Sequence, residues 1–379
     1  MNRRRAEAQG KAVPAPRVGG GVAASILRSR GFRSLLTLGD VGLAIVLAAG
    51  ALGFVLRDRV TALAILTYVP LSLVGAFGAV WFLFRPGRRR GAVVAAGLAL
   101  VAHLSLSGED RGRPARPGET TLRVVQQNVC YGGALVRNRD SWRAQLAALA
   151  EARPDVLVIS EVVHPDIRGD VAAELERATG QKWWLSNADG MKDAGYVYRL
   201  VVATPWPHLS RQLHQLHDGV ALEVEIDHPT GPLRVWAVDG LSTPSRNRRA
   251  MIASLEEALS AAADRGAFPE ILAGDFNIPG RSVAFEPLHA HHVLASALGA
   301  GRRGTAPRPL PVLDLDHVWV VPDLDVLSAQ TLVTPYSDHL GVLVTLALNS
   351  SGDPESFVSE RRRGAAPSPF GNKRVRLGE

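Results

Sequence analysis

The ten residues from Glu270 to Pro279, EILAGDFNIP, decide how the rest of the chain is read. An apolar run of strand length and composition, Glu270–Asp275, ends in a carboxylate, and an amide, Asn277, follows two residues later before Pro279 closes the segment. Three other segments have the same shape, with acidic or amide groups at or beside the end of an apolar run. These are VVQQNVC with Gln127 and Asn128, DVLVISEV with Glu161, and TPYSDHLGVLV with Asp338 and His339. Singly, each is bland, because Asp or Asn after a strand is usually a turn former or helix cap. Their joint occurrence is the signal.

Working outward, Leu122–Val129, Asp155–Glu161, Tyr196–Ala203, Gly219–Ile226, Leu233–Asp239, Glu270–Asp275, Asp316–Val321 and Gly341–Ala347 read as strands. Trp142–Ala152 and Arg246–Ala263 have helical periodicity, with Asp140 and Ser245 as caps. Strands joined partly by helices and partly by short turns predict an α/β sandwich in which helices cover packed sheets.

The order Asn, Glu, Gly-Asp-x-Asn, then Asp-His before the last strand resembles the endonuclease/exonuclease/phosphatase family from about Thr121 to Ala347, with GDFN and SDH the most specific pieces. The segment LDLDHVWV, containing Asp316, resembles that family's penultimate motif. The resemblance implies a four-layer sandwich of two mixed β-sheets flanked by helices, and a hydrolase acting on phosphate ester bonds. It also implies roles for individual residues. Asp275 would orient or deprotonate the attacking water, Asn277 would bind a phosphate oxygen, His339 would meet the scissile phosphate, and Asp316 would fix the tautomer and charge of His339. Asp338 would lie near the metal.

Such a site needs a hard divalent cation, and oxygen donors suit Mg²⁺ or Mn²⁺ better than zinc. Glu161 is the natural anchoring carboxylate, and Asn128 can add a neutral carbonyl oxygen. The sequence departs from the family at VWAVDGLSTP, where many members place a His and some a Tyr; Asp239-Gly240-Leu241 stands there instead. Either Ser242, Thr243 or a nearby Arg supplies the missing donor, or the activity is weaker or differently directed. Arg246, Arg248 and Arg249 follow at a helix start, where they would form a phosphate-binding cluster or a solvated face. His289, His291 and His292 have only Glu286 as an acidic neighbour, which argues against a second metal site. Of Trp183 and Trp184, one is expected in the core and the other free to be exposed.

Charge narrows the partners. The formal charge of +7 invites a nucleic-acid reading, yet Met1–Thr120 has 17 Lys/Arg against 6 Asp/Glu while Thr121–Leu348 has 20 against 26. The domain that carries the motifs is therefore acidic. One cysteine, Cys130, excludes an intrachain disulfide and a paired-cysteine zinc site.

The basic excess flanks hydrophobic runs at Ser34–Leu56, Val60–Phe84 and Gly91–Ser107, read as three membrane spans after a cytoplasmic arm of residues 1–33. Four Arg between Arg85 and Arg90 place that loop on the arm's side, which leaves the motif-bearing domain outside. Residues 108–120 read as a linker, 121–348 as the catalytic domain and 349–379 as a disordered tail. The expected activity is hydrolysis of a small or lipid-linked phosphate ester or pyrophosphate at the membrane, with an extracellular nuclease on DNA or RNA, or a non-catalytic binding domain, as alternatives. A reporter fused at Thr121 should report an external location; a cytoplasmic signal would mean that Gly91–Ser107 does not cross.

Overall fold

The structure, a computed structural model, describes residues 30–85, 87–108, 112–132, 138–162, 171–188, 191–193, 196–198, 200–298 and 304–348. Most of the basic arm and the tail at 349–379 lie outside these residues. Two six-stranded mixed sheets pack face to face. The first has the order β13 (Asp325–Leu332), β14 (Gly341–Leu348), β1 (Thr120–Asn128), β2 (Val156–Ser160), β6 (Val201–Thr204), β3 (Trp184–Asn187). The second runs β11 (Val293–Leu294), β12 (Asp316–Val320), β10 (Ile271–Asp275), β9 (Leu233–Gly240), β8 (Gly219–Ile226), β7 (His208–Leu216). A small ribbon pairs β4 (Met191–Asp193) with β5 (Tyr196–Tyr198), so the run expected as one strand from Tyr196 to Ala203 is two.

Each sheet has one parallel pair at its centre, β1 with β2 and β9 with β10, and antiparallel neighbours around it. Side chains alternate across a strand, and the two faces sort cleanly. Leu122, Val124, Val156, Val158, Val235, Ala237, Ile271, Ala273, Val318, Val320, Val342 and Val344 point between the sheets and form the central core. On the outer face of the first sheet, Val125, Leu157 and Ile159 meet Trp142, Leu146 and Leu149 of α4 (Arg139–Glu151) and Leu175 of α5 (Val171–Thr179). Outside the second, Trp236, Leu272 and Trp319 meet Met251, Leu255 and Leu259 of α6 (Arg248–Asp264). Trp183 is buried and Trp184 is 38% exposed beneath Lys182, as adjacent residues at a strand start should be. Both long helices begin with an Asn rather than the expected residue, since Asn138 and Asn247 accept the first free amides of α4 and α6.

Ahead of the sandwich stand α1 (Arg30–Leu56), a 3₁₀ segment Thr61–Tyr68, α2 (Leu71–Leu83) and α3 (Arg89–Leu104). Among the described residues only Ser34–Leu56 is by itself long and apolar enough to cross a membrane. The run expected as a second continuous span is broken at Pro70, where Ala62–Tyr68 and Leu71–Leu83 meet at 68°. Proline removes a helical amide and disfavours helix in the residue before it, which accounts for the break. The third run is a helix of 16 residues, about 24 Å long against a hydrocarbon layer of about 30 Å. Small residues let these helices approach, since a Cβ on Gly75 would meet the Ala95 carbonyl at 2.7 Å. At one end of the bundle Asp40 accepts from Trp81 and Arg85.

The other end of the bundle docks on the sandwich. Asp58 is buried and accepts from Ser282 Oγ at 2.6 Å and Val283 N at 2.8 Å. Arg281 donates to the carbonyls of Phe54 and Thr67, with its guanidinium over the Phe54 ring at 4.5 Å. The described part of the linker lies along the edge strand β13, where Arg113 pairs with Asp325 at 2.8 Å and with Glu119 at 2.6 Å. Asp58→Ala should cost about 2–3 kcal/mol, because two buried donors lose a charged acceptor. Thermal unfolding of the full chain in detergent measures this, and an unchanged midpoint would mean that the dock contributes nothing.

Candidate active site

The central core turns polar at one end. The inward row of β1 continues from Leu122 and Val124 to Gln126 and Asn128, that of β2 from Val156 and Val158 to Ser160, that of β9 to Asp239, and that of β10 to Asp275. All four strands end there, and β12 begins there with Asp316. Two hydrogen bonds cross from sheet to sheet at this level, Asn128 Nδ2 to Asp275 Oδ2 at 2.8 Å and Gln126 Nε2 to Asp316 Oδ1 at 2.9 Å.

Register sets three carboxylates side by side, since Asp275 pairs with Asp316 on one flank and Asp239 on the other. Adjacent strands are about 4.8 Å apart, so like charges here repel through a dry interior. Burial first, then the charge of Asp316, pushes the Asp275 carboxyl above the ordinary range. Asp239 is also pushed up, by burial and by the charges of Glu161, Asp275 and Asp316. Glu161, on the turn after β2, is also raised by burial against a hydrogen bond from Asn128.

His339 is the cation of this group. Its Nδ1 lies 2.7 Å from Asp316 Oδ2 and 3.9 Å from Asp275 Oδ2. Burial alone would lower its pKa, but the charge and hydrogen bond of Asp316 outweigh that and hold it up at about 10. Asn277 is fixed from three sides. Its amide donates to Asp275 Oδ1 at 2.8 Å, its side chain to the Gly240 carbonyl at 2.8 Å, and its carbonyl accepts from Tyr68 Oη at 2.8 Å. Glu161 and Asn277 have φ of 50° and 52°, left-handed values that cost a non-glycine residue about 1–3 kcal/mol unless neighbours enforce them.

Asn128, Glu161, Asp275, Asn277, Asp316, Asp338 and His339 thus share one end of the sandwich, linked by hydrogen bonds or by the charges acting between them. Arg246 and Arg249 are not drawn in by any described contact: Arg246 faces Asp218 at 3.6 Å, and Arg249 is exposed. Arg248 is neither a solvated residue nor a phosphate ligand, because it is buried and donates to the carbonyls of Leu241 and Thr243 and to Tyr68 Oη. The three histidines serve packing: His289 lies against Trp319, and His291 and His292 against Phe268. Asp239, noted in the sequence only as part of the segment that stands in place of the family histidine, joins the site through its register with Asp275; its signal was a carboxylate at the end of an apolar strand, as in β10.

Asp275, Asp316 and His339 bring ligand atoms within 4.8 Å of one another. The 2.7 Å His339–Asp316 contact is a charge-assisted hydrogen bond, which a metal bound to Nδ1 would have to break. The better oxygen donors for a hard cation are Glu161, Asp338 and Asn128. Asp338 Oδ1 is buried with no hydrogen-bond partner, a carboxylate oxygen without a described donor to balance it. Asn128 Oδ1 accepts only from Cys130 N among the described contacts at 2.8 Å, leaving a lone pair. Five carboxylates around one imidazole leave an anionic excess that a divalent cation would neutralise, so the residues fit such an ion.

Residues 125–339 match the profile of the Endonuclease/Exonuclease/phosphatase family. The chain belongs to that family, whose members are hydrolases of phosphate ester bonds. No curated protein matches it. Among solved structures it is similar to the endonuclease/exonuclease/phosphatase from Beutenbergia cavernae, with 22% identity, a TM-score of 0.44, and coverage of 60% of this chain and 72% of that one. It is also similar to the human Nocturnin catalytic domain, at 17% identity and TM-score 0.47, covering 62% and 98%. A third is the Bacteroides thetaiotaomicron mannosyl-6-phosphatase, at 14% and 0.46, covering 60% and 100%.

The missing family histidine is not a simple loss. A Cβ on Gly240 would meet the Phe276 carbonyl at 2.3 Å and Met251 Cε at 2.9 Å, so this backbone admits no side chain there. Gly240→His should therefore lower the thermal midpoint and the activity together. A stable variant with raised turnover would show that the position merely awaits its histidine.

Proposed function

We propose that this chain is a membrane-anchored, outward-facing phosphoesterase that uses Mg²⁺ or Mn²⁺ to hydrolyse a small or lipid-linked phosphate ester or pyrophosphate. The observation that carries this reading is the contact between site and anchor: Tyr68, at the end of the segment joining α1 and α2, hydrogen-bonds the backbone of Asn277. A site held this close to the ends of α1 and α2 faces the head-group layer, where phosphorylated lipids and their pyrophosphates are at high local concentration. In this arrangement α1 crosses, the Thr61–Tyr68 segment lies at the outer surface, and α2 and α3 form a hairpin whose arginine-rich turn faces the cytoplasm.

In the proposed mechanism Glu161, Asp338 and Asn128 hold the cation, which supplies Lewis-acid stabilisation and a template for the phosphate when bound. Asp275 takes the proton of the attacking water, a task that suits a carboxylate whose basicity is raised by burial. His339, held as imidazolium by Asp316, faces the phosphoryl oxygens and stabilises the charge that grows on them. The Asn277 side-chain amide, which has a second N–H beyond the one given to the Gly240 carbonyl, orients one of those oxygens. Arg246 and Arg249, exposed near the start of α6, remain available to a larger substrate.

The nuclease alternative keeps the same chemistry but needs several cations to track a strand of phosphates. The excess of 26 acidic over 20 basic residues in Thr121–Leu348 weighs against it. The test uses the full chain in nanodiscs with Mg²⁺ or Mn²⁺, offering a polyprenyl pyrophosphate, a soluble phosphodiester and single-stranded DNA at physiological salt. The lipid pyrophosphate should be cleaved fastest, and Glu161→Gln should lose metal affinity and nearly all turnover. Efficient DNA cleavage with a steep salt dependence and an intact lipid would replace this reading with the nuclease.

A further inference from the structure

Between α1 and α2 the chain does more than turn round. Tyr68 Oη receives a hydrogen bond from Arg248 Nε at 2.9 Å and donates one to the Asn277 carbonyl at 2.8 Å. Arg248 uses its other two nitrogens on the carbonyls of Leu241, at 2.6 Å, and Thr243, at 2.9 Å. One phenol and one guanidinium thus tie together the two loops that leave β9 and β10, the loops that carry Gly240 and Asn277. Asn277 also sits at a φ of 52°, a conformation that neighbouring contacts must hold.

Within the proposed phosphoesterase reading, we infer that Tyr68 is a positioning residue of the active site, supplied by the anchor segment rather than by the catalytic domain. The hydroxyl fixes the Asn277 backbone carbonyl, and with it the side-chain amide that orients the phosphate. Without the anchor, Arg248 would keep its two carbonyl partners but lose the Tyr68 hydroxyl, and the Asn277 carbonyl would lose its hydrogen bond from Tyr68. Four further hydrogen bonds make the docking specific: Ser282 and Val283 donate to Asp58, and Arg281 donates to the carbonyls of Phe54 and Thr67. The catalytic arrangement is therefore complete only when the segment that leads into the bilayer is seated, which couples turnover to an intact membrane-side bundle.

Tyr68→Phe removes one oxygen and keeps the ring. In the full chain in nanodiscs, with bis(p-nitrophenyl) phosphate and p-nitrophenyl phosphate as probes and Mn²⁺ present, kcat should fall about tenfold while KM stays within about twofold, the pattern of an interaction made in the transition state. Amide exchange at Leu241–Thr243 and Phe276–Ile278 should quicken while the thermal midpoint moves little. Arg248→Lys, which keeps the charge but not the three-way fork, should show the same split. Ile65→Ala, on the exposed face of the same segment, should change neither readout. Unchanged kcat and unchanged exchange in Tyr68→Phe would overturn the inference, as would a loss of activity explained wholly by a smaller folded fraction. Exchange reads the clamp without turnover: a wild-type chain inert to both probes and to the polyprenyl pyrophosphate would sink the phosphoesterase reading, while faster exchange in the variant would still support the clamp and unchanged exchange would still overturn it.

Discussion

The structure turns on a carboxylate row at the end of a dry core. Asp239, Asp275 and Asp316 occupy adjacent strands in register, continuing inward faces that are otherwise Val, Leu, Ile and Ala. Three neighbouring buried acids would be costly as they stand. The surroundings answer that cost locally, with Asn128 on Asp275, Gln126 and His339 on Asp316, and the Asn277 amide on the other oxygen of Asp275. Gln126 and Asn128 come from β1 of the facing sheet, His339 from the loop before β14 and Asn277 from the loop after β10, so the facing sheet and both loops must meet the row together. The same groups that would perform hydrolysis also hold the sandwich in register at this end.

That dual use explains what could be read from the sequence. Strands β1, β2, β9, β10, β12 and β14 are buried on both faces, so they stand out as apolar runs and their polar ends are conspicuous. Strands β7 and β13 escaped, because they are sheet edges: β7 is largely exposed, and polar Ser328 and Gln330 interrupt the apolar run of β13. Asp239 was seen and passed over, since one Asp ending a strand reads as a turn former until register places it beside Asp275. Arg248 looked like one of three equivalent cations, and only burial separates it from Arg246 and Arg249.

The N-terminal helical part was legible in a different way. Hydropathy marks where apolar runs begin and end, but it does not report that Pro70 breaks the second run or that the first half of that run faces protein. Tyr68 and Asn277 are 209 positions apart, and no local pattern links them. A long-range polar contact of this kind is written in no spacing, which is why the anchor first reads as a passive tether.

A tether and a dock have different consequences for specificity. A free linker would let the site sample the solution as well as the membrane, and selectivity would then rest on the pocket alone. Here the described linker residues are pinned to β13, and the α1–α2 connection is bonded to the site loops. The orientation of the site toward the bundle is therefore set by hydrogen bonds with buried partners, each worth about 1 kcal/mol or more when broken. An acidic domain repels free polyanions, yet a phosphate presented at a fixed height by its own lipid needs no long-range attraction to arrive. On this view the negative charge of the domain and its rigid seat act together: the first disfavours soluble nucleic acid, and the second favours a substrate that shares the same surface.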